Sequence, residues 1–239
     1  MAILLAGTCA LQPGDGGLCS GQNPSALPPA SSVDDRGTFV LSVGGRKIGM
    51  ERFEIRLTHD KIEAQAEIQL REEQDGKALN FESSSKLVLD KQFQPLTYSW
   101  SQKGSAHSNL EVDFRVSPAK TRYRTVTGKE DLRDFDLPKD VIVLDDNVIH
   151  QYELVVDRYG LTAGGKQVFR AFIPQEALPG VLTVEETGTE AVDILGRHEV
   201  LRHVTVSTEL AQIDLWVDAR GNLQRISIPA TQFEALRTE

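Results

Sequence analysis

Beyond residue 19 the chain has no cysteine: Cys9 and Cys19 are its only two. The folded part therefore has no disulfide framework and no thiolate metal site. Nor is there an apolar run near the roughly 20 residues that a membrane-spanning helix needs. Basic clusters are missing too. With 26 Lys and Arg against 35 Asp and Glu, a formal charge of -9 and a pI near 5.1, the composition argues against a nucleic-acid partner, which draws on grouped cations. The small group Lys120, Arg122 and Arg124 reads as a solvated hairpin edge. No Gly-x-Ser-x-Gly follows a strand. The pairs Gly44-Gly45 and Gly164-Gly165 do not precede helices, so they are turns rather than phosphate loops. No catalytic residue, metal site or cofactor site emerges, and the expectation is a protein that is not an enzyme.

What the chain does contain is alternation. Ile62, Ala64, Ala66, Ile68 and Leu70 face one way while Lys61, Glu63, Gln65, Glu67 and Gln69 face the other, a strand with one buried and one wet face. Similar patterns run through Phe39–Val43, Phe53–Leu57, Leu96–Trp100, Leu110–Val116 and, later, Gln167–Ile173, His198–Ser207, Leu210–Asp218 and Leu223–Ile228. Turn residues separate them at near-regular spacing, which indicates an antiparallel meander. Lys129–Asp140 looks charged and irregular, and Thr231–Glu239 looks like a polar tail.

One stretch breaks the alternation. In Asp145–Gly160 the apolar residues Val148, Ile149, Tyr152, Val155, Val156 and Tyr159 share one helical stripe. Asp145, Asp146 and Asn147 stand where a helix start wants short polar caps, and Gly160 where a helix end turns left-handed. The spacing predicts a helix over about 146–159, the single apolar stripe able to cover the inward face of the sheet. A sheet this large twists and curls, so the expected fold is mostly β: a large curved antiparallel meander, a half-barrel, wrapped around one central α-helix. Residues 36–239 form one domain in this reading. A β-sandwich without an enclosed helix is the alternative.

Residues 1–35 are rich in Gly, Pro and Ser and open on the short apolar run Ala2–Ala6. This resembles the tail of a secretory signal, with small residues at Thr8 and Ala10 suited to cleavage, although the basic n-region is missing. The expectation is an exported, periplasmic or envelope-associated protein. The alternative of a lipid anchor at Cys9 is disfavoured because Ala6 and Thr8 stand where such a signal wants Leu and Gly or Ala.

Trp216, Asp218, Gly221, Leu223 and Arg225, within Leu215–Pro229, form a Trp-x-Asp strand end that turns back into a strand carrying Leu and a basic residue. With the strand order and the single helix, this resembles the lipoprotein-carrier type of half-barrel of bacterial envelopes. Gly37–Ile55 also resembles uncharacterised secreted bacterial proteins of this shape. The resemblance implies a fold and an apolar groove between sheet and helix, and no particular ligand.

Within that frame the candidate ligand-binding residues are Val148, Tyr152, Val155 and Tyr159 on the inner face of the helix, with Tyr98 and Trp100 opposite. The partner would be a hydrophobic small molecule such as a lipid or acyl chain, or alternatively an envelope protein meeting a fully packed module. The other helix face, with Asp146, His150, Glu153 and Asp157, is expected to be solvated. Two residues break their strand's pattern. Arg202 shares the apolar side with Val200, Val204 and Val206, and needs either a bulge to rotate it out or a carboxylate. Trp216 stands on the polar side, where it either covers a neighbouring strand or meets a partner.

Overall fold

A computed structural model describes residues 34–239 except 75–76, 104–107, 126, 161–163, 210 and 239, with side chains of 72–78 also left aside. The export-like segment, Cys9 and His107 lie outside the described residues. Eight strands come first: β1 Asp35–Val43, β2 Arg46–Leu57, β3 Lys61–Gln74, β4 Lys77–Asp90, β5 Pro95–Lys103, β6 Ser108–Asp113, β7 Ala119–Arg124 and β8 Glu130–Phe135. The two-residue β9, Ile142–Val143, leads into helix α1, Gln151–Gly160. Then follow β10 Gln167–Ile173, β11 Leu178–Ile194, β12 Arg197–Ser207, β13 Gln212–Val217, β14 Leu223–Ile228 and β15 Phe233–Arg237.

All fifteen strands among the described residues belong to one sheet, in the order β8 back to β1, then β15 back to β9. Each half is a meander. The halves join where the first strand pairs with the last, Phe39 opposite Arg237 and Val43 opposite Phe233. The half-barrel expectation is met: a single curved, almost wholly antiparallel sheet encloses one helix. Its far ends are held together by side chains. Phe172 of β10 packs on Phe135 of β8 at 4.8 Å between ring centroids, and the Tyr123 hydroxyl donates to the Pro174 carbonyl at 2.7 Å.

Four local expectations fail for identifiable reasons. The 231–239 segment is not a tail: Phe233, Ala235 and Arg237 alternate inward and are buried, and the strand closes the seam with β1. Residues 130–135 form an edge strand, matched to β7 by cross-strand pairs Arg124–Glu130 (2.5 Å) and Lys120–Asp134 (3.7 Å). Such a charged edge is guarded against further pairing.

The third failure concerns the helix, which starts at Gln151 rather than near 146. Asn147 has a positive φ of 60°, and the start is held from outside. Glu51 of β2, wholly buried, accepts the backbone N–H of Ile149 (2.7 Å) and of His150 (2.8 Å). The same carboxylate lies 3.0 Å from His150 Nδ1. An anion against unpaired N–H groups at a helix start is a favourable arrangement. It comes from a strand about a hundred residues away rather than from a local cap.

Most of the face expected to be solvated is buried instead: His150, Glu153 and Asp157 lie inside, with Gln151 beside them, while Asp146 is partly buried, because the sheet wraps the helix. Several of their polar atoms are matched across the interior, while His150 Nε2 and Gln151 Nε2 find no hydrogen-bond partner among the described residues. Glu153 accepts the Leu223 N–H at 3.0 Å and lies 3.8 Å from Arg237. Arg237 makes a forked bond to Asp35 at 2.6 and 2.7 Å and covers the Phe53 ring. Phe53 stacks in turn on Phe39 and His150. Burial pushes Glu153 well above the usual carboxylate range, with the Asp35 charge adding to the rise. Burial also pushes Asp35 up, but the hydrogen bonds and charge of Arg237 outweigh it and leave Asp35 below its ordinary value.

Glu51→Leu keeps apolar volume but orphans two buried N–H groups and the imidazole. It is expected to cost about 3 kcal/mol or more of unfolding free energy, read from urea denaturation. A loss below about 1 kcal/mol would show that these donors have other acceptors.

Candidate ligand cavity

A cavity of about 980 Å³ lies beside the entry to the helix. Leu137, Val141, Leu144, Val148 and Tyr152 form one wall, from the segment between β8 and the first turn of α1. The opposite wall is the inner face of the later strands: Ala171 of β10, Leu182 of β11, Ile213 of β13, Ile226 of β14 and Phe233 of β15. Strand alternation aims those side chains inward. The volume and the mostly apolar lining suit a small apolar molecule.

Its polar end is acidic. Asp145 accepts the Tyr98 hydroxyl at 2.5 Å, the Gln175 N–H at 2.9 Å and the Asp146 N–H at 3.1 Å. Burial nevertheless pushes its carboxyl up to about 6. Asp146 is pushed up to about 7, by burial first and then by the neighbouring Asp145 and Glu176. The Tyr98 hydroxyl is raised well above the ordinary phenol value, by burial and then by the Asp145 charge.

The six residues expected to bind a ligand are therefore divided. Val148 and Tyr152 line the cavity. Tyr98 stands behind its wall and reaches it through Asp145. Val155 and Tyr159 are fully buried, the Tyr159 hydroxyl donating to the Gly165 carbonyl at 2.9 Å and accepting the Glu186 N–H at 3.1 Å. Trp100 borders a different hollow of about 900 Å³ with Arg52, Gln65, Ser99 and Asn109. The residues of β10–β15 that complete the cavity were not singled out. Their only signal was inward alternation, which every core residue of a strand shares.

The two anomalous residues are also placed. Arg202 does not rotate out through a bulge in its own strand. It is partly buried and bonded to Glu186 at 2.7 Å, while the irregularity lies in β11 between Glu186 and Gly188. Trp216 stands on the outer face and is covered by Val192, Ile194 and Leu201 from the β11–β12 hairpin. Its indole N–H donates to Glu190 at 2.8 Å. His198 is exposed beside Asp193. Among the described residues, no three His, Cys, Asp or Glu side chains are arranged to hold a metal, and no helix is long and apolar enough to cross a membrane.

With this geometry in view, comparison with known proteins is informative about the fold. Residues 38–231 match the family described as protein of unknown function DUF3108. The chain belongs to that family. A crystal structure of a beta-barrel-like protein of domain of unknown function DUF1849 from Brucella abortus is similar to this DUF3108 chain, with a TM-score of 0.58 at 11% identity, over 87% of this chain and 96% of that one. A DUF1089 family protein from Pseudomonas aeruginosa gives a TM-score of 0.47 at 13% identity, over 90% and 98%. No curated protein matches the chain. The first structural likeness shows a barrel-like fold. The lipoprotein-carrier resemblance gains no specific support from it, and the DUF3108 chain takes no function from these relatives.

The raised carboxyls make a pH prediction. A carboxyl whose folded value lies above 3.8 favours folding fully only below 3.8, and that contribution is lost as pH rises through the folded value. For Asp146, at about 7, the loss falls between about pH 4 and 8. Asp146→Asn should therefore show a smaller fall in melting temperature from pH 5 to pH 8 than the unsubstituted protein. Equal falls would contradict the burial of this carboxyl.

Proposed function

We propose that this protein binds an apolar ligand, a lipid or acyl chain, in the cavity between the helix entry and the inner faces of β10–β15, and that it does so as an exported component of the cell envelope. The observation that carries the proposal is the cavity itself. Protein interiors are ordinarily packed without voids much larger than a water molecule. Here a partly open pocket of about 980 Å³, lined largely by Leu, Ile, Val and Phe side chains with Asp145 and Asp146 at one end, lies beside the packed core. Val148 and Tyr152 would touch the ligand, and the Asp145–Asp146 end would meet its polar part. Export is supported by the signal-like composition of residues 1–35 and by a cysteine-free domain that oxidising conditions leave unaltered.

The purified protein, extracted with organic solvent and examined by mass spectrometry, is expected to yield a co-purifying lipid, and the stripped protein to take up a fluorescent fatty alcohol. Ala171→Phe, which projects a ring into the cavity, should weaken that uptake at least tenfold without lowering the melting temperature by more than a few degrees. Absence of both extracted lipid and probe uptake in the unsubstituted protein would overturn the proposal in favour of a packed interaction module.

A further inference from the structure

Outside the cavity, on the opposite face of the sheet, three side chains from three strands stand in line. The hydroxyl of Thr187 in β11 lies 3.0 Å from Nδ1 of His203 in β12. Nε2 of the same ring lies 3.1 Å from Oδ1 of Asp214 in β13. Asp214 is buried, and its Oδ1 also accepts the Gln212 side-chain amide at 3.0 Å. The imidazole is stacked on Trp216, 5.0 Å between centroids and 6° from parallel. An ionised Asp214 accepts from Nε2–H, and in the neutral imidazole that leaves Nδ1 as the acceptor facing the hydroxyl. Thr187 is also 3.3 Å from the His203 carbonyl, but the shorter contact is to the ring.

The backbone places this hydroxyl in the open. Thr187 is the extra residue where the β11–β12 register shifts between Glu186 and Gly188, and such bulges re-aim side chains. Gly188 follows with φ +137° and open space where a side chain would stand. Thr187 is exposed while its supporting groups are not. A nucleophile bonded to a base that a third group orients is the arrangement that activates a hydroxyl.

We propose that Thr187, His203 and Asp214 form an acyl-transfer site for small carboxylic esters, a function separate from ligand binding in the cavity. The Thr187 oxygen attacks the ester carbonyl carbon as its proton passes to His203 Nδ1. The carbon–alkoxide bond then breaks, and the departing alcohol takes that proton. Water attacks the acylated Thr187 while His203 accepts its proton and returns it to the threonine oxygen, which releases the carboxylic acid. Asp214 is a positioning residue throughout.

The test uses the full chain and p-nitrophenyl acetate. Release of p-nitrophenolate is expected together with one acetyl group, located on Thr187 by peptide mass spectrometry. Thr187→Ser should keep both, while Thr187→Ala and His203→Gln should lower release at least tenfold. Asp214→Ala should slow acetylation and Asp214→Glu partly restore it, a rescue that a purely structural role would not give. Acetyl groups on lysines with Thr187 unmodified, or equal release by the His203→Gln protein, would overturn the proposal. Mapping of the unsubstituted protein decides the matter even where a variant fails to fold.

Discussion

The buried Glu51 carboxylate is the contact on which the architecture turns. It receives two backbone N–H groups and an imidazole from the entry to the helix, and so it ties the N-terminal meander to the segment that precedes the C-terminal one. A carboxylate with no exposure is costly unless its oxygens are occupied, and the helix entry in this position occupies those of Glu51. The same contact places Phe53, two residues along β2 on the same inward face, against the His150 ring. Charge satisfaction and aromatic packing thus specify one seating of the helix.

A second buried set works beside it. Asp35 and Arg237 lie near the two ends of the described chain, on β1 and β15, and their forked ion pair closes the seam between the halves. Arg237 also lies near Glu153 on the helix. Seam and helix are consequently bound into one polar network within an apolar core. An ion pair of this kind contributes more to choosing one arrangement than to net stability, because desolvation offsets much of its attraction. The cavity lies beside the entry to this helix, against the inner faces of the later strands.

The outer surface has its own organisation. The long β11–β12 hairpin runs past the barrel and folds Val192, Ile194 and Leu201 over Trp216, while Arg225 covers the indole ring at 4.5 Å. This small outer cluster explains a tryptophan on the wet side of its strand. It also immobilises His203, whose orientation depends on the Trp216 stack.

Period-2 alternation was sufficient to determine by itself that the chain is a meander, because each strand had to present one face to the core, as Ile62–Leu70 does. The helical stripe at Val148–Tyr159 likewise announced the one element that could fill the sheet. The end strand was illegible because Arg237, a charge, occupies one of its three inward positions. Edge strand β8 was illegible because its side chains are mostly charged and exposed and show no apolar alternation, while its backbone pairs with β7. The helix start, the burial of His150 and Glu153, and the position of the cavity were decided only by tertiary structure. The first two depend on partners far along the chain, Glu51 for the helix entry and for His150, and Arg237 for Glu153, and local sequence periodicity carries no information about which distant group will satisfy a buried charge.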